Sequence, residues 1–332
     1  MAPDRKRRLI LASPRGFCAG VERAIDIVNL ALDTYGKPLY VRREIVHNVC
    51  VVSELRTRGV AFVEELEEVP EGSRIIFSAH GVSPEVRRAA AARRLKVIDA
   101  TCPLVMKVHS EADRYAREGF TIILIGHADH DEVIGTIGEA PLAIKVLGRA
   151  EDVDRLSVPD PEKVAYLTQT TLSLDDTRQM ISRLRARFPH IQGPPSDDIC
   201  YATQNRQHAV KELARRVQLV LVVGSSNSSN SRRLVEVAVN AGVRAHLIGA
   251  ADELRLSWFE NAWCIGLTAG ASVPERLVEE VIGRLRELGF PEPEHSGGIV
   301  EDVQFALPPD LVRDSRACSP PAFQELAPAR AR

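Results

Sequence analysis

The sequence lacks a long apolar run, a strong net charge and a nucleotide-binding lysine motif, and each absence argues against a class of function. No hydrophobic stretch approaches the length of a membrane span, which predicts a soluble protein. The formal net charge of −2 gives no support to binding of nucleic acids or membrane surfaces through bulk charge. Without a G-x-x-x-x-G-K-[ST] motif, hydrolysis of nucleoside triphosphates is not expected.

Closely spaced cysteine pairs are also missing. The six cysteines never show the C-x₂₋₄-C spacing that is typical of structural zinc sites. A chain of 332 residues can bury a core without disulfides, so scattered cysteines favour metal ligands, reactive thiols or small buried residues. The basic segment from Met1 to Arg8 does not resemble a cleavable presequence. We therefore expect a cytoplasmic protein.

Short β-like runs alternate with helix-like segments along the chain, which indicates a doubly wound α/β architecture. The clearest strand candidates are Leu9 to Ala12, Ile75 to Phe77, Thr121 to Ile125, Leu219 to Val223 and Cys264 to Leu267. Ser83 followed by Pro84 predicts a capped helix start. Ser272 and Glu275 have the spacing of a capping box. From about Pro308 the chain is rich in Pro, Ala and Arg, and residues 308–332 are predicted to form a loosely ordered tail.

Cys18, Cys102 and Cys200 each lie where a predicted strand gives way to a helix, and they are separated by about one α/β unit. Ligands of open α/β sheets gather at the carboxyl ends of strands, and helix N-termini favour the thiolate that binds metals. The spacing predicts three comparable modules whose cysteines meet at one iron–sulfur centre with an iron free of protein ligands. Cys50, Cys264 and Cys318 are interpreted as ordinary buried or tail residues.

The sequence argues against two kinds of zinc enzyme. A zinc hydrolase would bind zinc instead of iron, but the paired ligand spacing is absent. A zinc deaminase would need Pro-Cys-x-x-Cys after the His-x-Glu of His130 and Glu132, and only Cys102-Pro103 is present, upstream and in the wrong order.

Polar loops follow several predicted strands and supply neutral donors for an anion such as phosphate. They are Ser78 to Gly81, Gly126 to His130, Gly224 to Ser231 and Thr268 to Ser272, with His47-Asn48 as a further imidazole source. His130-Asp131-Glu132 is the most plausible proton-handling element, because a glutamate beside an apolar, anion-filled pocket can act as a general acid. Other histidines, including His109, are interpreted as structural.

Taken together, these motifs closely resemble the LytB/IspH family. The resemblance runs from about residue 9 to residue 307 and rests on Ser13 to Val21, His47-Asn48, Ser78 to Ser83, Asp99 to Pro103, Gln169 to Ser173, Cys200 to Thr203, Ser228 to Ser231 and Thr268 to Ser272. It implies a 4-hydroxy-3-methylbut-2-enyl diphosphate reductase that forms isopentenyl and dimethylallyl diphosphates at the end of the methylerythritol phosphate route. It also implies three pseudo-equivalent α/β modules in a trefoil around one [4Fe–4S] cluster per chain.

By this resemblance the cluster ligands are Cys18, Cys102 and Cys200. The implied proton source is Glu132, with Thr170 and His130 in the relay. The implied substrate-binding residues are His47, His80, His130, Thr170, Ser228, Ser229, Asn230 and Ser272. Because no G-x-G-x-x-G fingerprint is present, electrons are expected from reduced ferredoxin or flavodoxin.

We expect modules at residues 18–102, 103–199 and 200–307 with 9–17. Two positions depart from the family pattern: Asp131 stands where a proline is usual, and Glu139 where a glutamine is usual. The alternative function is a non-enzymatic iron–sulfur redox sensor, which needs neither a substrate acid nor a diphosphate pocket.

Overall fold

A computed structural model describes residues 6–318 of the chain, which contain twelve β-strands and ten α-helices. The strands are β1 Arg8–Leu11, β2 Leu39–Arg42, β3 Val60–Val63, β4 Arg74–Phe77, β5 Lys96–Asp99, β6 Thr121–Ile125, β7 Ile144–Leu147, β8 Val164–Thr168, β9 Leu219–Val223, β10 Arg244–Ile248, β11 Cys264–Ala269 and β12 Glu294–His295. The helices are α1 Ala19–Tyr35, α2 Val49–Thr57, α3 Pro84–Ala92, α4 Pro103–Arg117, α5 Asp131–Glu139, α6 Leu174–Arg187, α7 Tyr201–Ala214, α8 Ser229–Asn240, α9 Glu275–Glu287 and α10 Pro309–Cys318. None of these helices is long and apolar enough to cross a membrane.

The strands form three separate parallel sheets, which confirms the predicted α/β class. Their orders are β3-β2-β4-β5, β7-β6-β8 and β10-β9-β11-β1-β12. Each sheet draws its strands from one predicted module, and β1 lies in the sheet of the last module, to which residues 9–17 were assigned. This arrangement supports the division at residues 102/103 and 199/200, and those boundaries stay a prediction.

Helices cover the sheets, so the central strands are buried on both faces, as parallel sheets require. All residues of β9 and of β11 are buried. In α1 the buried face carries Ala24, Ile27, Val28, Ala31 and Leu32, which repeat at helical spacing. Loops at the carboxyl ends of strands from all three sheets line one shared cavity.

The predicted loose tail is wrong for residues 309–318. Helix α10 forms there, Leu311 is buried, and the Tyr35 hydroxyl donates a 2.7 Å hydrogen bond to Asp314 Oδ2. Leu307 and Leu311 are four residues apart, and both pack against the core beneath α1. The Pro- and Arg-rich composition of this segment gives no sign of these two apolar contacts. The rest of the predicted tail, residues 319–332, and residues 1–5 of the basic leader lie outside the described residues.

The predicted capping box at the start of α9 is also wrong. Pro274 is the residue before the helix, and no side chain caps it. The Ser272 hydroxyl donates instead to the backbone oxygen of His47 at 2.9 Å, and Glu275 pairs with Arg15. The Ser83 cap at α3 is confirmed, since its hydroxyl accepts from the Val86 amide.

Candidate active site

The three sequence-selected cysteines occupy equivalent places, each immediately before the first residue of a helix. Cys18 precedes α1, Cys102 precedes α4 and Cys200 precedes α7. In each case the cysteine amide donates to the carbonyl two residues beyond the end of a strand, at 3.0–3.2 Å. These bonds run from Cys18 to Ala271, from Cys102 to Ala79 and from Cys200 to Thr170. The same backbone hydrogen-bonding arrangement therefore occurs at all three cysteines.

The three thiols face one cavity. A methyl group placed on Gly20 would lie 2.7 Å from Cys102 Sγ and 3.9 Å from Cys18 Sγ, so both sulfurs flank the space that this glycine leaves free. Cys200 Sγ accepts from the Thr203 amide at 3.4 Å. Cys50, Cys264 and Cys318 do not line this cavity.

Burial, rather than the helix N-termini, controls the protonation of these thiols, contrary to the expectation from sequence. Burial raises the pKa of Cys102 to about 12 and that of Cys200 to about 11, and it also raises the pKa of Cys18. Backbone amides at the helix starts act in the opposite direction with smaller effect. Three buried thiols in this state need a positive partner, such as metal ions, to become thiolates together.

Three histidines form a second wall of the cavity. The rings of His47 and His80 stack with centroids 4.0 Å apart, and His130 meets both edge-on at 5.4 and 5.9 Å. His47 Nδ1 lies 3.2 Å from Glu44 Oε2, and His130 Nδ1 accepts from the Glu132 amide at 3.2 Å. Burial lowers the pKa of His130 to about 4 and that of His80 well below its usual range. Because its Nδ1 is an acceptor, neutral His130 carries its proton on Nε2.

Hydroxyl and amide groups at the start of α8 form a third wall. Ser228 caps the helix through the Ser231 amide, and Ser229 Oγ lies 3.2 Å from Thr171 Oγ1. Asn230 Oδ1 accepts from the Ala271 amide at 2.9 Å. All three side chains are buried and line the cavity, so the serine-rich loop does more than cap a helix. The helix N-terminus adds partial positive charge toward a bound anion.

Glu132 is the cavity's buried acid. Its side chain is 2 % exposed, and both oxygens are held by Thr170: the amide donates to Oε1 at 2.6 Å and the hydroxyl to Oε2 at 2.8 Å. Burial raises the pKa of Glu132 to about 7, although the two bonds from Thr170 oppose the change. A carboxyl group in this range can be protonated at neutral pH and donate its proton.

All twelve residues singled out from the sequence line this one cavity, although their roles stay predictions. They are Cys18, His47, His80, Cys102, His130, Glu132, Thr170, Cys200, Ser228, Ser229, Asn230 and Ser272.

Sequence reasoning missed Arg206, which is fully buried. Its guanidinium donates to Gly16 O at 2.7 Å, to Ala202 O at 3.0 Å and to Glu301 Oε1 at 3.0 Å. It therefore ties the loop before Cys18 to the helix after Cys200. No local pattern marks it, because its partners Glu301 and Gly16 lie 95 and 190 residues away in the chain.

Comparison with known proteins agrees with this geometry. A family model described as LytB protein matches residues 9–286. The chain is similar to the 4-hydroxy-3-methylbut-2-enyl diphosphate reductases of Acidothermus cellulolyticus (55 % identity over 320 residues, 96 % of this chain and 94 % of the relative) and Hahella chejuensis (58 % over 308 residues, 92 % and 97 %). It also resembles the solved E-1-hydroxy-2-methyl-but-2-enyl-4-diphosphate reductase of Plasmodium falciparum, with a TM-score of 0.89, 40 % identity, and coverage of 94 % of this chain and 99 % of that one. The likeness thus extends over nearly the whole sequence and fold, and the chain belongs to the LytB family.

Proposed function

We propose that this chain is a 4-hydroxy-3-methylbut-2-enyl diphosphate reductase. The reaction consumes two electrons and two protons, releases the substrate hydroxyl as water, and yields isopentenyl and dimethylallyl diphosphates. The observation that carries the proposal is the meeting, in one cavity, of three thiols, a buried acid of raised pKa and a wall of imidazole and hydroxyl groups. A redox sensor would need only the first of these.

Cys18, Cys102 and Cys200 would hold a [4Fe–4S] cluster. The residues fit such a group because three thiols with equivalent backbone anchoring line one cavity, and Gly20 leaves open the space beside the sulfurs of Cys18 and Cys102. When bound, the cluster supplies single-electron reduction and an iron without a protein ligand.

The remaining side chains would bind the diphosphate and deliver a proton. His130 offers its Nε2–H, and Ser228, Ser229, Asn230 and the start of α8 surround the anion with neutral donors. Glu132 would donate the proton at its carboxyl oxygen, and Thr170 orients that carboxyl through two bonds. Burial of these groups excludes water from the reacting carbon.

The electron donor would be a separate reduced ferredoxin or flavodoxin in the cytoplasm. The test is anaerobic iron and sulfide analysis followed by turnover of the hydroxylated prenyl diphosphate with a reduced donor. Four irons and four sulfides per chain together with product formation are expected. A loaded protein that forms neither product would overturn the proposal and favour the sensor.

Replacing Gly20 by Ala is expected to displace Cys102 and weaken the cluster site. The added methyl would lie 2.7 Å from Cys102 Sγ, closer than packed atoms approach, so the sulfur or the helix has to move. We expect a loss of about 1–3 kcal/mol in the free energy of unfolding and a lower iron content after reconstitution. Gly283→Ala in α9 is the control, since nothing lies within 4 Å of its added methyl. Equal iron content in both variants would contradict the prediction.

Replacing Thr170 by Val is expected to raise the pKa of Glu132. The hydroxyl stabilises the carboxylate, and its removal leaves only the amide bond. The alkaline fall of kcat should therefore move to higher pH by about one pH unit. Thr170→Ser keeps the hydroxyl and should retain the wild-type profile. A pH–rate profile that is the same for Val and Ser would show that the hydroxyl has no such effect.

A further inference from the structure

An ion pair lies beside the histidine wall and is not part of the site described above. Arg43 follows β2 directly and Asp131 is the first residue of α5, so the pair joins the first sheet's module to the second. Arg43 Nη1 donates to Asp131 Oδ1, and the two side chains are 27 % and 17 % exposed. Both residues are close in sequence to histidines of the cavity: His47 is four residues beyond Arg43, and His130 is the residue before Asp131.

The carboxylate of Asp131 faces the stacked histidines. A carboxylate oxygen of Asp131 and one ring nitrogen each of His47 and His80 all lie within 4.8 Å of one another. These three groups could in principle hold a metal ion, but the Arg43 guanidinium already bonds the carboxylate. Without Arg43, a negative charge would stand next to two residues of the proposed diphosphate pocket.

The backbone at Arg43 is held in an unusual conformation. Its φ is +57°, in the left-handed region that non-glycine residues seldom adopt, and its amide donates to Val63 O at 2.7 Å. Such a conformation persists only where the surrounding structure holds it, and it is frequent at ligand-binding sites. The only other acid near the guanidinium is Glu64 at 4.0 Å, among the described residues, and its side chain is 80 % exposed. Asp131 is thus the main ion-pair partner of Arg43.

We infer that Arg43 masks the charge of Asp131, so that this carboxylate beside His47 and His80 does not repel the substrate diphosphate. The inference rests on the proposed function. The negative charge of Asp131 stabilises the N-terminus of α5. The positive charge of Arg43 offsets the electrostatic repulsion that Asp131 would otherwise exert on an anion in the pocket. The two residues are therefore not interchangeable in effect: losing the arginine exposes a repulsive charge, whereas losing the aspartate leaves an attractive one.

Steady-state kinetics of the holoenzyme distinguishes charge masking by Arg43 from a purely structural role of the ion pair. Arg43→Ala is expected to raise KM about tenfold with kcat changed less than about threefold, because substrate binding and not chemistry is affected. Asp131→Asn should leave KM unchanged or lower it. The double variant Arg43→Ala/Asp131→Asn should return KM to within about threefold of wild type, and Arg43→Lys should stay close to wild type. Arg58→Ala, which removes an exposed arginine paired with Asp33 in the same module, is the matched control.

Calorimetric binding of inorganic diphosphate to the same anaerobic holoproteins tests the inference without turnover. The affinities should follow the same order, with Arg43→Ala weakest and the double variant restored. If both single variants weaken binding alike, or the double variant stays as weak as Arg43→Ala, the masking role is wrong. A wild type that binds diphosphate but forms no product would instead defeat the proposed function and leave this comparison valid.

Discussion

Glu132→Gln is expected to lower kcat by about 10²–10⁴-fold, the usual contribution of a general acid. The amide keeps the size of the carboxyl group but has no proton to deliver. Since Glu132 is not one of the proposed cluster ligands, the iron and sulfide content should remain at the wild-type level. KM should change much less than kcat, because the diphosphate wall is built from other residues.

Glu111→Gln is the matched control. Glu111 is also a buried glutamate whose pKa burial raises to about 7, but it does not line the cavity. Its substitution should leave kcat within a few-fold of wild type. Equal losses in the two variants would mean that any buried carboxyl change disturbs the fold, and that Glu132 has no special role.

The raised pKa of Glu132 also predicts how kcat depends on pH. Glu132 must be protonated to donate, so kcat should be high below its pKa of about 7 and fall as pH rises through that value. His130, with a pKa of about 4, stays neutral through this range and adds no inflection there. Glu132→Gln should lose the alkaline fall. A pKa near 7 sets a window of roughly pH 6 to 8 for this fall. A wild-type kcat that rises over this window would contradict the role of Glu132 as the proton donor.

Cys200→Ser is expected to abolish cluster binding and lower turnover by more than about 100-fold. Substitutions behind a metal ligand already cost about 10–100-fold, and loss of a ligand itself costs more. Serine keeps the volume and the cap contact near Thr203 but supplies no thiolate. The measurements are iron and sulfide content, visible absorbance and turnover after anaerobic reconstitution.

Cys50→Ser is the control for this experiment, since Cys50 is also a free cysteine but lies outside the cavity. It should retain the full cluster and near wild-type turnover. Cys18→Ser and Cys102→Ser should behave as Cys200→Ser does, because the three positions share one backbone arrangement. A serine variant at any of the three that keeps all its iron and activity would remove that residue from the ligand set.

Much of this architecture follows from local order along the chain. Strands such as Thr121–Ile125 and Leu219–Val223 stand out because apolar, β-branched runs end at a glycine that opens a polar loop. Helix α3 is predictable because its cap Ser83 directly precedes Pro84. The sequence also shows that Cys18, Cys102 and Cys200 occupy equivalent positions, and its motifs indicate the family of the protein.

Contacts between distant segments could not be predicted in this way. The bond from Ser272 to His47, the pairing of Arg206 with Glu301 and the docking of α10 on α1 each join residues far apart in the chain. The raised pKa values of the thiols have the same origin, because burial depends on what surrounds a group and not on its neighbours in sequence.

The order of residues was enough to predict the α/β class, the start of α3 and twelve side chains that line one cavity, since these depend on short-range propensity and spacing. How those side chains act depends on three sheets meeting at their carboxyl ends. That meeting creates the shared cavity, removes its groups from water, and brings Arg43 to a carboxylate that would otherwise face the histidines. Folding supplies these properties because electrostatic interactions depend on distance and burial in space.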